Sequence, residues 1–220
     1  ESHAGGAPEE GINALNAAVL AINNINAQRE TFKDSDKIRV HPVITKGGDV
    51  VNVVPSDVKM ESYVRGSTVD SVFDANKKVN RAIQAGSDAI GGEVEIKDIP
   101  GYLPLINYET LMEIFTNNLE GLVPKDRVIK QKTFTGSFDM GDLSHIMPVL
   151  HPFFSGVSGG LHTRHFKTED YELAIIKPAK ALAKTIIDIL IDKEKVLNQL
   201  DKPPYSKEEY LAILSKMESN

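Results

Sequence analysis

Imidazole side chains are concentrated in one part of the sequence. Four of the six histidines lie between residues 133 and 165, together with five glycines. A stretch rich in glycine and histidine is typical of a loop-dominated functional site, and neutral imidazole is a common metal ligand. The histidines of this stretch are His145, His151, His162 and His165.

The last two of these histidines are three residues apart. Imidazoles at that spacing share one metal ion only if the backbone between them is helical, and Gly159 and Gly160 directly before His162 favour a loop. We therefore expect one metal ligand here rather than two. The alternative for a single histidine in such a loop is a structural, hydrogen-bonded residue.

Two further segments have residue types that bind or polarise oxygen. Residues 136–142 read Gly-Ser-Phe-Asp-Met-Gly-Asp, and small residues with a hydroxyl and exposed backbone N–H groups hold a carboxylate or phosphate oxygen. Their alternative is a capped turn before a short helix. His3 precedes a predicted helix, where it could donate a proton to a developing oxyanion or merely cap the helix.

Composition narrows the possible chemistry. The 220 residues include no cysteine and have a formal net charge of -6, so a metal would be held by His and carboxylates, and nucleic acid and membranes are unlikely partners. The start has no secretory signal, and the lack of cysteine fits a reducing cytoplasm. Nucleophilic serine and phosphate-binding motifs are missing, so metal-assisted chemistry remains.

The elements that position these residues follow from hydrophobic periodicity. Apolar residues every three or four positions predict helices over 9–29 and 69–89. Alternation predicts three strands between residues 38 and 65, one of them at 50–54, and a fourth over 94–99. This order predicts an α/β fold, a split βαβ sandwich that lacks its first strand. The missing strand and the start at Glu1 suggest that an upstream part has been removed.

Two helices would cover one face of this sheet and leave the other face open. Lys59, Glu61, Tyr63 and Arg65 lie on the open, polar face, which could equally be a solvated surface.

A cluster of breakers at residues 100–104 marks a domain boundary. Beyond it the pattern predicts a helix over 108–119, a long helix after residues 168–170 that Pro178 either kinks or restarts, and a terminal helix. Ser206 and Glu209 form the capping-box pattern S-x-x-E at the start of the terminal helix.

Four motifs together resemble a known family. Residues 2–15, 47–55, 136–145 and 161–163 are similar, in this order, to the aminoacylase and carboxypeptidase superfamily of dinuclear zinc amidohydrolases. The branch that they resemble most includes p-aminobenzoyl-glutamate hydrolase and dipeptidase-like amidohydrolases. The resemblance extends from residue 1 to about residue 190.

The resemblance implies a lid or dimerisation domain at residues 1–98 and the C-terminal part of an α/β zinc-hydrolase catalytic domain at 101–220. It implies two zinc ions in the full-length protein, a small N-acyl amino acid or dipeptide-like substrate, and a homodimer through the lid.

The resemblance also assigns roles to residues. His3 would polarise the scissile carbonyl, and His162 would bind zinc in preference to His165. Contacts to the substrate would come from Asn52, Arg65, Gly136 and Ser137, with Arg65 and the glycine-serine loop holding the carboxylate.

Other family motifs are missing. The H-x-D and Glu-Glu pairs, which supply metal ligands and the general base, are not found here, and Glu9 and Glu10 belong to a helix start. We expect a parent enzyme that hydrolyses an amide bond next to a free carboxylate, and a chain that is inactive alone. The alternatives are a non-catalytic dimerisation or peptide-binding module that pairs through residues 39–45, and a non-catalytic binder that keeps the fold.

Overall fold

The computed structural model describes residues 1–130 and 135–218. Residues 131–134 and 219–220 are outside the described part. They include the first two residues of the Gly/His-rich stretch 133–165 and the last two of the predicted domain 101–220. The chain is mixed α/β, rich in helix, with two small antiparallel sheets. The α/β class predicted from the sequence is therefore confirmed.

The chain forms two compact units. The first contains residues 1–104, 135–137 and 211–218, and the second contains residues 105–130 and 138–210. Within the described part of the chain, no helix is both long enough and apolar enough for a membrane span.

Two packed helices form the base of the first unit, α1 (Ala14–Ala27) and α2 (Val69–Asp88). The hydroxyl of Thr68 accepts a hydrogen bond from the Ser71 N–H (3.1 Å), and the Ser71 hydroxyl oxygen accepts one from the Thr68 N–H (3.1 Å). This reciprocal cap satisfies backbone donors at the start of α2. The helix predicted over 69–89 is confirmed to within one residue.

The first predicted helix, over 9–29, begins too early. Pro8–Glu10 form a separate 3₁₀ turn, and Gly11 is extended. The Asn13 side chain then accepts hydrogen bonds from the N–H groups of the second and third residues after it (3.0 and 3.1 Å), so α1 begins at Ala14. The last residues of the predicted helix belong to a 3₁₀ turn, Gln28–Thr31.

An antiparallel pair of strands, β1 (Arg39–Lys46) and β2 (Lys59–Arg65), packs on these helices. Val40 pairs with Val64, and Val40 is 5% exposed, so this face of the hairpin points into the core. The opposite face has the polar side chains. The buried core of this unit consists of Ile25, Ile38, Val40, Ala75, Val79 and Ala82.

Two predicted strands are wrong. Residues 50–54 form a turn, and within them Val53 makes a single bridge to His3. Residues 93–99 alternate between exposed and half-buried but belong to no strand. They are held instead by the Asp98 carboxylate, which accepts hydrogen bonds from the side chains of Asn76 (2.7 Å) and Asn80 (2.8 Å). Alternation records which side of a segment is buried, whereas a strand also needs a neighbouring backbone to pair with.

In the second unit, α3 (Glu109–Asn118) packs on α5 (Lys177–Ile191). Phe115 and Ala181 are buried at this contact, and the Phe154 ring meets the Phe115 ring edge-on at 6.1 Å between centroids. The Asn118 amide donates to the Asp188 carboxylate (2.6 Å), which ties the two helices together. The remaining regular elements of this unit are α4 (Asp139–Ser144), the two-residue strands β3 (Val157–Ser158) and β4 (Lys167–Thr168), and α6 (Lys193–Gln199).

A π-helical turn, Glu172–Ile176, leads into α5. Pro178 lies in the first turn of α5, where its missing N–H costs little. The predicted kink or restart is therefore a change of helix type. Gly156 (φ +99°) packs against the beginning of this turn: its carbonyl accepts hydrogen bonds from the N–H groups of Glu169 (2.9 Å) and Asp170 (3.0 Å).

The terminal helix, α7 (Lys207–Glu218), begins with the predicted capping box. The Glu209 carboxylate accepts a hydrogen bond from the Ser206 N–H (2.7 Å), and the Ser206 hydroxyl accepts one from the Glu209 N–H (3.2 Å). Both bonds satisfy donors at the helix start, so this prediction is confirmed.

Because α1 and α2 are in close contact at Gly86, one methyl group added there should lower the stability of the fold. A Cβ at Gly86 would lie 2.6 Å from the Ala21 nitrogen and 2.8 Å from the Ala17 oxygen, both of them backbone atoms that cannot rotate away. We expect Gly86→Ala to lower the free energy of unfolding by about 1–3 kcal/mol, measured by urea denaturation. Gly101→Ala is the control, because no atom lies within 4 Å of a Cβ there. Equal denaturation midpoints for the two variants would contradict this packing.

The capping box predicts a pH dependence of α7. Hydrogen bonds from the Ser206 backbone and side chain lower the pKa of Glu209 below its ordinary value of 4.5. Because the folded pKa is depressed, the stabilisation is complete above about pH 4.5 and disappears as the pH falls through the lowered pKa. We expect the Cα chemical shifts of residues 207–210 to lose helical character over that window. Glu209→Gln should remove most of this dependence, and Glu208→Gln should keep it.

Candidate functional site

The predicted oxyanion residue and one predicted substrate residue are brought together by backbone pairing. The Ala4 N–H donates to the Asn52 carbonyl (2.9 Å), and the Val54 N–H donates to the Ser2 carbonyl (2.9 Å). His3 forms the bridge to Val53 between these two bonds. Residues 2–4 and 52–54, which are distant in sequence, are therefore adjacent.

The His3 ring is fixed by the glycines that follow it. Its Nδ1 accepts hydrogen bonds from the backbone N–H groups of Gly5 (3.2 Å) and Gly6 (3.0 Å). A nitrogen that accepts two N–H donors bears no proton, so the proton of the neutral ring is on Nε2. The exposed imidazole therefore presents Nε2–H as a donor, which is the group that oxyanion stabilisation requires.

Side chains have little room at two glycines near this turn. A Cβ at Gly6 would lie 3.3 Å from His3 Nδ1. A Cβ at Gly11 would lie 3.0 Å from the Ser2 Cβ and 3.3 Å from the Val54 Cγ1. Side chains at these positions would displace the His3 ring or separate the bridged segments.

Arg65 ends β2 on the polar face of the hairpin. The residue is half-buried, and its guanidinium carbon lies 5.0 Å from the centre of the Tyr63 ring, which is a cation–π contact. Its Nε atom is buried and has no acceptor among the described residues. A buried donor without an acceptor is unfavourable, so this side chain is suited to an anionic ligand.

Gly136 and Ser137 lie in an irregular, half-buried segment just before α4. In α4, the Asp139 carboxylate accepts a hydrogen bond from the Met140 N–H (2.8 Å). A role for the two residues in binding a carboxylate stays a prediction.

His162 is exposed and has φ +63°, a left-handed conformation that is uncommon outside glycine. Gly159, with φ +80°, precedes it, so the local backbone is a loop, as the glycines predicted. Among residues 1–130 and 135–218, no three His, Asp or Glu side chains are grouped so that they could hold a metal ion. The described residues therefore do not form a complete zinc site, and the role of His162 as one ligand stays a prediction.

The sequence reasoning missed three features of these regions. It did not identify the Gly5 and Gly6 N–H groups as the hydrogen-bond donors that fix His3. It did not pair Arg39 with Arg65, which face each other across the hairpin. It also missed an aromatic group in the second unit, where the Phe138 ring stacks on His151 (4.8 Å between centroids) and approaches Phe153 (5.6 Å). Strand alternation could have placed Arg39 on the polar face, but its partner depends on the register.

Part of the chain matches a known protein family. Residues 1–92 match the family described as the peptidase dimerisation domain. This match and the two relatives described next fit the amidohydrolase and dipeptidase superfamily, so the resemblance seen in the motifs is confirmed.

Two curated relatives are similar over most of the chain. An Xaa-Arg dipeptidase from Mus musculus is 32% identical over 199 residues, which cover 86% of this chain and 45% of the relative. An Xaa-Arg dipeptidase from Homo sapiens is 31% identical over 203 residues, covering 88% of this chain and 46% of the relative. The chain therefore spans about half the length of these relatives.

The geometry at His3 predicts its tautomer. We expect long-range ¹H–¹⁵N correlation spectra at pH 8 to show a protonated Nε2 and an unprotonated Nδ1 for His3, because Nδ1 accepts two backbone hydrogen bonds. Gly6→Pro removes one donor and should increase the fraction of the other tautomer. Gly101→Pro, a change far along the chain, serves as the control. A protonated Nδ1 in the unmodified chain would contradict the assignment.

Proposed function

We propose that the protein to which this chain belongs hydrolyses the amide bond of a dipeptide or N-acyl amino acid that has a free carboxylate. The observation that supports this most directly is the His3 ring, whose Nδ1 is held by two backbone N–H groups so that Nε2–H points outward as a donor. The peptidase dimerisation domain and the two dipeptidase relatives support the same reaction class.

His3 has a defined role in this proposal. As the scissile carbonyl becomes tetrahedral, negative charge develops on its oxygen, and the Nε2–H of His3 donates a hydrogen bond to it. The donor is already oriented, so little reorganisation is needed during the reaction. Removal of one such donor typically lowers kcat by about 10²–10³-fold.

Arg65 orients the substrate in this proposal. A guanidinium presents two parallel N–H donors that match the two oxygens of a carboxylate. The guanidinium makes a cation–π contact with the Tyr63 ring, and its buried Nε lacks an acceptor among the described residues. Asn52, Gly136 and Ser137 are proposed as further substrate contacts.

Zinc is the proposed metal, and His162 is its one proposed ligand in this chain. Because the described residues hold no group of three possible ligands, they do not complete a metal centre. The hydrolytic reaction is therefore proposed for the whole protein.

We also propose the domain arrangement that the motifs imply. Residues 1–98 act as a lid that forms a homodimer, supported by the dimerisation-domain match over residues 1–92. Residues 101–220 contribute to the catalytic domain. The second candidate function, a dimerisation module without catalysis, is favoured by the same match together with the lack of a grouped ligand set among the described residues.

Hydrolysis of paired substrates tests the main proposal. Intact mass and bound zinc are measured on the same sample that is assayed with Gly-Arg, N-acetylarginine and their C-terminal amides. A zinc-loaded protein with about two ions per chain should hydrolyse the free acids and discriminate against the amides by about tenfold or more. His3→Gln should lower kcat by about 10²-fold, and Arg65→Gln should mainly raise KM for the free acids.

Arg81→Gln is the control, because Arg81 is an exposed residue of α2. A zinc-loaded sample that cleaves neither substrate, or cleaves acids and amides equally, would contradict the proposed hydrolase. A sample with a mass near 24.1 kDa, no zinc, no turnover and a dimeric state in sedimentation would instead support the second candidate.

A further inference from the structure

Two arginines face each other at one end of the β1–β2 hairpin. Arg39 is directly opposite Arg65, and His41 is directly opposite Tyr63. Directly opposed residues of an antiparallel pair project to the same face, with Cβ atoms about 4.5–5.5 Å apart. The four side chains therefore form one block on the polar face.

This pairing is unfavourable without a counter-ion. Like charges directly opposite each other destabilise a strand pair. The ion pairs of the described residues include neither arginine. The acidic residue on this face of β2, Glu61, is opposite Val43 rather than opposite an arginine. An anion bound between the two guanidinium groups would offset their repulsion.

Each guanidinium is also positioned by a contact of its own. Arg39 Nη1 donates to the Ile38 carbonyl (2.9 Å), which holds the guanidinium group near the backbone of the preceding residue. Arg65 lies over the Tyr63 ring, and its buried Nε has no acceptor among the described residues. A guanidinium has five N–H donors, so both arginines retain donors for a ligand.

We propose that Arg39 is a second carboxylate-binding residue, which donates to the same substrate carboxylate as Arg65. This inference rests on the proposed function, because it extends the carboxylate site assigned there to Arg65. A carboxylate has two oxygens with about four acceptor positions, so two guanidinium groups can bind it from two sides. The two contacts depend on each other, because the anion offsets the repulsion between the two guanidinium groups only when it lies between them.

Binding to the complete chain tests the inference without any need for turnover. The chain is labelled with ¹⁵N-arginine, and the Nε–H signals of Arg39 and Arg65 are followed during titration with N-acetylglycine and with N-acetylglycinamide. We expect the free acid to shift both signals with one common Kd, and the amide to shift neither. Arg39→Gln and Arg65→Gln should each raise Kd by about tenfold, as loss of a charge-assisted hydrogen bond predicts.

Three further variants separate a shared carboxylate from simpler explanations. The Arg39→Gln, Arg65→Gln double variant should be little weaker than the weaker-binding single variant, because each single change already disrupts the shared site. Arg39→Lys keeps the charge but lacks the planar fork, so it should recover only part of the affinity. Arg81→Gln should bind like the unmodified chain.

The melting temperature of the ligand-free Arg39→Gln chain should rise, since a like-charge pair is removed.

The outcomes distinguish this inference from the proposed function. If N-acetylglycine shifts Arg65 alone and Arg39→Gln leaves Kd unchanged, the inference is wrong and the role of Arg65 stands. Full recovery of affinity by Arg39→Lys would also overturn it in favour of a general electrostatic effect. If the acid shifts neither arginine, the carboxylate site itself is wrong, and the inference is lost with it.

Discussion

The polar face of the first unit depends on the register of β1 against β2. Side chains alternate along a strand, so a shift by one residue would turn every one of them to the other side. Val40 and Val64 hold the observed register, because they pair with each other and face the core. The outward position of Arg65 is thus a consequence of where the valines are buried.

The geometry at His3 depends on the backbone in a different way. The residue lies in no regular element, yet the two backbone hydrogen bonds that flank it tie its segment to residues 52–54. The ring is oriented by two more backbone donors. Main-chain groups thus set both the position and the tautomer of the side chain. The chemistry proposed for His3 needs an Nε2–H donor that is already oriented.

The sequence was sufficient where local signals determine structure. The period of α2 and the S-x-x-E cap of α7 involve residues within one or two helical turns, so both could be predicted. The strands proposed at 50–54 and 94–99 failed because pairing is a property of two segments, and alternation in one segment does not reveal the other. The boundary of α1 was misplaced because the side chain of Asn13 competes locally with helix continuation.

In the candidate site too, local features could be predicted from the sequence and contacts between distant segments could not. The separate motifs around His3, Asn52, Arg65 and His162 were recognisable from residue types and their order. Their spatial relations were not, because the bridge between His3 and Val53 joins segments 50 residues apart in sequence and the arginine pair requires a known register. The sequence likewise could not show that Arg65 Nε is buried without an acceptor among the described residues, because this depends on the folded surroundings.

The π-helical turn before α5 has a consequence for how this region can change in evolution. A π turn is equivalent to one residue inserted into an α-helix, and each residue of an α-helix rotates the chain by about 100°. Deletion of one residue within Glu172–Ile176 would restore a regular helix but would rotate Asp170 relative to α5. Gly156 fits against Asp170 and Ala174 so closely that a Cβ there would lie 2.7 Å from the Asp170 oxygen. The π-helical turn and Gly156 therefore depend on each other. Loss of the extra residue alone would move Asp170 away from the position that Gly156 fits.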